Sequence, residues 1–229
     1  MRPTTETFAQ WNEEHALKHD LDKFYNHPNP LVRYIENKRI RTLIDLAAIE
    51  DTDDVLEVGC GAGHILERIG TGRLHGIDIS ATQIRRARER LGHRVELKQS
   101  PGEEIPYGDR SFDKILCSEV IEHVLDPVPL LREMKRVLKD DGILSLSIPN
   151  EAAINFAKQI LRATGLMRIV MPARSGWDLG SKNNLDEWHL HEYNLALIKR
   201  HTADVFEIAE VRRIPFFFVP FRYVLTLTK

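Results

Sequence analysis

The chain has 229 residues, of which 42% are hydrophobic and 29% are charged, and its formal net charge at pH 7 is −2. This composition excludes a disordered, collagen-like or membrane-spanning chain, and the near-neutral charge supplies no overall basic field for nucleic acid. The two cysteines, Cys60 and Cys117, form no disulfide or zinc pattern, and residues 1–20 lack the apolar core of a signal peptide. We therefore expect a cytoplasmic protein without a membrane span.

Predicted strands and helices alternate through the middle of the chain. Residues 1–50 come first and are predicted to form a helical cover, because a helical apolar pattern runs through them from Leu31 onward. The predicted strands then span residues 54–58, 74–79, 95–99, 112–117 and 143–148. A helix is predicted after the first strand and continues to Ile69. A second helix follows the second strand, with Ser80 as its N-cap. A third follows the fourth strand, with Asp126 as its N-cap. This alternation favours right-handed βαβ units and a parallel sheet.

The last part of the chain follows a different pattern. Two β-rich runs, 206–214 and 221–228, are separated by a link too short for a crossover helix, which predicts an antiparallel pair. Residues 150–194 form a long insertion, with a helix predicted at 152–163, and long insertions of this kind often form lids. The sequence thus predicts a doubly wound, Rossmann-like α/β domain over 51–229. Its seven-stranded sheet is mostly parallel and has an antiparallel last strand.

A glycine-rich turn follows the first predicted strand and is typical of a ligand-binding loop. Gly59, Gly61 and Gly63 give the pattern G-x-G-x-G, whereas a dinucleotide fingerprint needs G-x-G-x-x-G, so the pattern disfavours a nicotinamide dinucleotide. Glu57 precedes the turn, where its carboxylate would repel a pyrophosphate and suit an ammonium group. Asp78 ends the second strand, at the position from which an acid binds a ribose diol.

Five ordered motifs resemble those of class I S-adenosylmethionine-dependent methyltransferases. They are Val55–Gly63 (VLEVGCGAG), Gly76–Ser80 (GIDIS), Ile105–Asp113 (IPYGDRSFD), Glu119–Val124 (EVIEHV) and Leu138–Gly142 (LKDDG). The resemblance covers residues 54 to about 149. It is closest to the small-molecule branch of the family, which includes the ubiquinone-biosynthesis-type O-methyltransferases.

The resemblance implies S-adenosyl-L-methionine as the cofactor and assigns residues to its parts. The loop residues Glu57, Gly59, Cys60, Gly61 and Gly63 would hold the methionine part. Asp78 would bind the ribose hydroxyls, and Ile79 would lie against the adenine. The family usually has an acid for the adenine amine where this chain has Pro101, so Gly102 and Glu103 are the candidates for that role. Ser118 and Glu119 would line the methionine end.

Three histidines are the candidates for a general base. Methyl transfer from a sulfonium depends mainly on alignment, and a hydroxyl acceptor also benefits from a base. His123 follows the fourth strand, although it would equally suit the start of a helix. His189 and His191 are two residues apart, so in an extended segment their side chains would lie on one face. We predict that His191 faces the acceptor. One of these two would alternatively bond backbone groups at the root of the lid, whose hinge is predicted at residues 175–184.

Two other functions compete with small-molecule methylation. If the segment after the fourth strand were helical, Glu119, Glu122 and His123 would share a face and, with a histidine from 189–191, would suit a divalent metal. That set resembles the metal-dependent methyltransferases that act on the 2′-hydroxyl of small RNAs, but metal-free relatives share the pattern. A non-catalytic cofactor-binding regulatory subunit is the second alternative. We expect methyl transfer to an oxygen or nitrogen of a small-molecule acceptor, with neither a metal nor a nucleic-acid partner.

Overall fold

Helices and strands alternate along most of the chain. The computed structural model describes residues 3–18, 27, 29–165, 189–218 and 220–229. The helices are α1 (Phe8–Lys18), α2 (Pro30–Ala47), α3 (Ala81–Leu91), α4 (Pro127–Val137), α5 (Glu151–Ala163) and α6 (Leu195–Thr202). The strands are β1 (Asp54–Val58), β2 (Arg73–Asp78), β3 (Val95–Gln99), β4 (Phe112–Ser118), β5 (Leu138–Pro149), β6 (Glu207–Pro215) and β7 (Pro220–Thr228).

The strands form one seven-stranded sheet in the order β3-β2-β1-β4-β5-β7-β6. Strands β1 to β5 pair in parallel with their neighbours, whereas β7 runs antiparallel to both β5 and β6. The strand order reverses between β1 and β4, and ligands bind at such a switch point in open α/β sheets. The prediction of a doubly wound, mostly parallel sheet with an antiparallel last strand is confirmed.

Helices cover both faces of the sheet because strand residues alternate between two apolar cores. Leu56 belongs to one core, in which Leu130 and Met134 of α4 are also buried. Its neighbour Val55 belongs to the other core, which contains Ile40 of α2 and Ile84 of α3. Successive side chains of a strand point to opposite faces, so one short buried strand anchors both layers.

The N-terminal helices contact the rest of the chain at two places. Helix α2 packs on the sheet, where Ser145 Oγ donates a 2.9 Å hydrogen bond to the carbonyl of Leu43. Helix α1 lies against α3, and the Glu13 side chain accepts a hydrogen bond from the N–H of Thr82 at 3.2 Å. The predicted hinge at 175–184 lies outside the described residues, so the lid stays a prediction. Among the helices that the structure describes, none is long and apolar enough to cross a bilayer.

Two predicted elements were wrong in their extent. The helix expected up to Ile69 is only a single 3-10 turn over Leu66–Arg68, because Gly63 and Gly70 leave too few residues between them to nucleate a longer helix. Strand β5 begins at Leu138 rather than at residue 143. Leu138 pairs with Phe112, and the next pair is Ile143 with Lys114. The acidic residues between Leu138 and Ile143 therefore form an irregularity within the strand.

Candidate active site

The glycine-rich turn after β1 is held tightly against β2. The backbone N–H groups of Gly59 and Cys60 both donate to the carbonyl of Ile77, at 2.8 and 2.9 Å. Gly59 has a φ of +72°, and a Cβ atom added there would lie 2.3 Å from Cγ2 of Val120. Gly61 and Gly63 also have positive φ values, of 51° and 81°. The turn therefore needs glycine both for its backbone angles and for its close approach to residue 120.

The Asp78 carboxylate receives two backbone N–H groups at the end of β2. Oδ2 accepts from Gly61 at 2.8 Å, and Oδ1 accepts from Ser80 at 2.9 Å. Burial raises the pKa of Asp78 to about 6, although these two hydrogen bonds act to lower it, and the nearby Glu13 carboxylate adds to the rise. Each carboxylate oxygen keeps a second lone pair, which suits a ligand hydroxyl.

Glu57 supplies an unsatisfied buried acceptor beside the same turn. Its side chain is 2% exposed, and Oε2 has no hydrogen-bond partner among the described residues. Burial raises the pKa of Glu57 well above its usual range, although a hydrogen bond from the N–H of Leu66 opposes the rise. A buried carboxylate oxygen without a donor is costly, and the ammonium of a methionine moiety would satisfy it. The residues present therefore fit the methionine part of S-adenosyl-L-methionine.

The residues expected near the adenine lie beyond β2 and β3. Ile79 is half-buried, and its carbonyl accepts a 3.0 Å hydrogen bond from Gln99 Nε2. A Cβ atom at Gly102 would lie 2.5 Å from Cδ1 of Leu130, so this position also requires glycine. Burial, with the charges of Glu104 and Asp126 adding to it, raises the pKa of Glu103. The adenine-binding roles of these residues stay predictions.

A charged network that sequence analysis missed surrounds the end of β4. The Ser118 hydroxyl accepts a short hydrogen bond from the Arg39 guanidinium. Glu119 has a φ of +54°, and its Oε2 lies 2.8 Å from Nε of Arg222. The hydroxyl of Ser147 donates to the other oxygen of Glu119 at 3.3 Å and accepts from Arg39 at 3.1 Å. The predicted methionine end is therefore fixed by α2, β5 and β7.

Buried Glu36 completes this network from α2. Nε of Arg39 donates to Glu36 Oε2 at 2.9 Å, and Arg222 lies 3.4 Å from Oε1. Burial acts to raise the pKa of Glu36, but the two guanidinium groups outweigh it and hold the pKa below the usual range. One sequence signal was available: Glu36 and Arg39 stand four residues before the apolar positions Ile40 and Leu43, on the buried face of α2.

The three candidate histidines lie on two segments that meet beyond the carboxyl end of β4. Residues 121–123 form a turn, so the helical condition under which Glu119, Glu122 and His123 would share one face is not met. His189 Nδ1 lies 2.6 Å from Glu151 Oε1, and its ring centroid is 4.8 Å from that of His123.

His191 bonds a different part of the same turn. Its Nε2 lies 2.9 Å from the carbonyl of Val124, so this nitrogen is occupied as a donor and a base role would fall to Nδ1. His189 and His191 therefore have separate partners, a carboxylate and a backbone carbonyl. Both segments stand at the sheet edge that carries Ser118. The catalytic roles of His123, His189 and His191 stay predictions.

The sheet order, the glycine turn and the acid at the end of β2 form a doubly wound domain that is similar to class I S-adenosylmethionine-dependent methyltransferase domains. Residues 56–146 match the profile of the family described as a methyltransferase domain. A probable S-adenosylmethionine-dependent methyltransferase of Mycobacterium tuberculosis (strain H37Rv) is 37% identical over 99 residues, which cover 42% of this chain and 36% of the relative. The chain therefore covers about a third of that relative.

Two further relatives cover more of the chain. The demethylmenaquinone methyltransferase of Listeria welshimeri is 29% identical over 168 residues, which cover 69% of this chain and 70% of the relative. The crystal structure of a putative methyltransferase from Bacillus halodurans superposes with a TM-score of 0.58 at 22% identity, covering 76% of this chain and 71% of the other. At that identity the structural likeness shows the fold alone.

Proposed function

We propose that this protein transfers a methyl group from S-adenosyl-L-methionine to an oxygen or nitrogen of a small-molecule acceptor. The observation that carries this proposal is the buried Glu57 oxygen, which has no partner among the described residues and lies beside a glycine turn bound to Asp78. A carboxylate for an ammonium group and a second carboxylate for a diol form a pair that suits this cofactor and repels a pyrophosphate.

The chain's own residues act mainly by positioning. The cofactor supplies a methyl group on a sulfonium, and holding the acceptor in line with it contributes roughly 7–11 kcal/mol toward the barrier. Glu57 holds the ammonium, Asp78 holds the ribose hydroxyls, and the glycine turn admits the ligand close to the backbone. His191, whose Nε2 donates to the carbonyl of Val124, is the candidate to accept the proton of a hydroxyl or amine through Nδ1.

A relative supports the choice of a small acceptor. The demethylmenaquinone methyltransferase is named for a small-molecule substrate, and its match extends over 69% of this chain. The overall charge of −2 gives no general attraction for nucleic acid.

Calorimetry with S-adenosylhomocysteine tests the cofactor site. Asp78→Ala removes a charge-assisted acceptor, and we expect it to weaken binding by about 1.5–3 kcal/mol, or roughly 10- to 150-fold. Asp204→Ala is the matched control, because Asp204 is exposed and lies outside the site. NADH should not bind at micromolar concentration. Unchanged affinity in folded Asp78→Ala protein would remove Asp78 from the site.

Transfer of a labelled methyl group tests the acceptor class. The wild-type chain should label members of a panel of small hydroxyl and amine compounds and should not label RNA. Transfer to RNA alone would replace the small-molecule proposal. Tight binding of S-adenosylhomocysteine without transfer to any acceptor would favour a regulatory subunit.

A further inference from the structure

A carboxylate and two imidazoles converge beyond the carboxyl end of β4. Glu122, His123 and His189 each offer one ligand atom, and these three atoms all lie within 4.8 Å of one another. Glu122 is fully buried, and neither of its oxygens has a hydrogen-bond partner within the described part of the chain. The unpartnered carboxylate thus lies within reach of both rings.

The nearby charges leave Glu122 without a dedicated counterion. Glu119, the nearest carboxylate in the sequence, is engaged by Arg222 at 2.8 Å, and Arg222 also contacts Glu36 at 3.4 Å. Burial raises the pKa of Glu122 well above its usual range, and the charges of Glu119 and Glu151 add to the rise while Arg222 opposes it. A buried carboxylate in this position needs a proton or a cation.

The two chain segments are fixed to each other by their backbones. The carbonyl of Glu122 accepts hydrogen bonds from the N–H groups of Leu190 at 2.8 Å and of His191 at 3.2 Å. His189 is oriented in turn by Glu151, whose Oε1 lies 2.6 Å from Nδ1. A carboxylate that holds the far nitrogen of an imidazole is the usual outer support of a metal-ligating histidine.

We propose that Glu122, His123 and His189 bind a divalent transition-metal ion. Two imidazoles and one carboxylate suit manganese, iron, cobalt or zinc better than magnesium or calcium, which prefer oxygen ligands. With Nδ1 of His189 bonded to Glu151, Nε2 is the nitrogen left for the ion. Glu119 is not a ligand in this site because the Arg222 guanidinium holds it. Metal binding here does not depend on methyl transfer.

Cobalt titration of the full chain tests this site after treatment with a chelator. Wild-type protein should bind one equivalent of Co²⁺, seen by visible absorption and by an increase in Tm. Glu122→Gln and His189→Ala should each weaken Co²⁺ binding at least 100-fold. Glu151→Gln should weaken it by about 10- to 100-fold, as expected for an outer support. His93→Ala is the control, because His93 is an exposed histidine remote from the cluster, and it should bind like the wild type.

The affinity of the metal-free variants for S-adenosylhomocysteine reports whether each variant is folded. Variants that keep this affinity but lose Co²⁺ binding support the site. The proposal is overturned if wild-type protein binds none of Co²⁺, Mn²⁺ and Zn²⁺, or if folded Glu122→Gln and His189→Ala proteins bind Co²⁺ as tightly as the wild type. Failure of wild-type protein to bind S-adenosylhomocysteine would count against the proposed function instead, and circular dichroism would then report folding.

Discussion

The Asp78 carboxylate accepts a hydrogen bond from the backbone N–H of Gly61 at 2.8 Å. The acid that ends β2 therefore fixes the turn that ends β1. Its other oxygen accepts from Ser80 at 2.9 Å, at the start of α3. One side chain thus joins two strands and a helix at the proposed cofactor site, and its protonation state affects all of them.

Cofactor affinity should fall as the pH decreases below about 6. Burial raises the pKa of Asp78 to about 6, so the carboxylate is ionised at pH 7.5 and protonated at pH 5. If only the ionised form binds, the affinity for S-adenosylhomocysteine should be about tenfold lower at pH 5 than at pH 7.5. Calorimetry at several pH values measures this dependence.

The variant Asp78→Asn distinguishes the titration of Asp78 from that of its acidic neighbours in the pH dependence of binding. Asp78→Asn should bind more weakly at pH 7.5 and should lose most of the slope near pH 6. Any remaining slope is expected from Glu57, whose pKa burial also raises, and from Glu13, which lies near Asp78. An unchanged slope in Asp78→Asn would assign the titration to a group other than Asp78.

Substitution of Gly59 by alanine should destabilise the protein. The φ of +72° is unfavourable for alanine, and the added Cβ would lie 2.3 Å from Val120 Cγ2. We expect the free energy of unfolding in urea to fall by about 1–3 kcal/mol. Gly70→Ala is the matched control, because nothing lies within 4 Å of its added Cβ.

The double variant tests the cause of that loss. Val120→Ala removes the two methyl groups that the new Cβ would meet, so Gly59→Ala combined with Val120→Ala should lose less stability than the two single losses added together. Strict additivity would show that the backbone angle alone is responsible.

Removal of Arg39 should cost more stability than removal of its exposed neighbour Arg41. Arg39→Ala leaves the buried Glu36 with Arg222 as its cation and Ser118 without its guanidinium donor. Breaking a buried pair in this way lowers the free energy of unfolding by about 3–5 kcal/mol. Arg41→Ala should stay within about 0.5 kcal/mol of the wild type. If urea unfolding shows that Arg39→Ala lowers the free energy of unfolding by less than about 1 kcal/mol, the network does not stabilise the fold as proposed.

The same network predicts a sign for the acid dependence of stability. The folded pKa of Glu36 lies below its unfolded value, so this group contributes stability above pH 4.5 that is lost as the pH falls through the folded pKa. Glu36→Gln should remove that part of the acid destabilisation. Urea unfolding at pH 7 and at pH 4 for both proteins gives the comparison.

Local sequence patterns were sufficient for most of the fold. The periodicity of the strands and the caps at Ser80 and Asp126 depend on residues close together in the chain, and both caps are confirmed. The glycine turn and Asp78 were recognisable for the same reason. A helix after Gly63 was wrongly predicted because apolar spacing does not show that a segment is too short to nucleate.

Only Glu36 and Arg39 of the charged network share a local pattern, on the buried face of α2. Arg39, Ser118 and Arg222 lie on three separate elements and meet only in the folded chain, so neither spacing nor composition shows their contacts. The grouping of Glu122 with His189 depends in the same way on a turn and a distant segment. The sequence suggested Glu119, Glu122 and His123 with a histidine from 189–191, whereas the structure groups Glu122, His123 and His189 and pairs Glu119 with Arg222.

The position of β7 between β5 and β6 makes β6 dependent on the strand that follows it. Within the described sheet, β6 pairs only with β7, so β6 joins the sheet only through β7. Arg222 belongs to β7, and its Nε lies 2.8 Å from Oε2 of Glu119, which follows β4. The glycine turn and Asp78 are therefore built from strands far upstream of β7, whereas the opposite wall of the site requires the last strand of the described sheet.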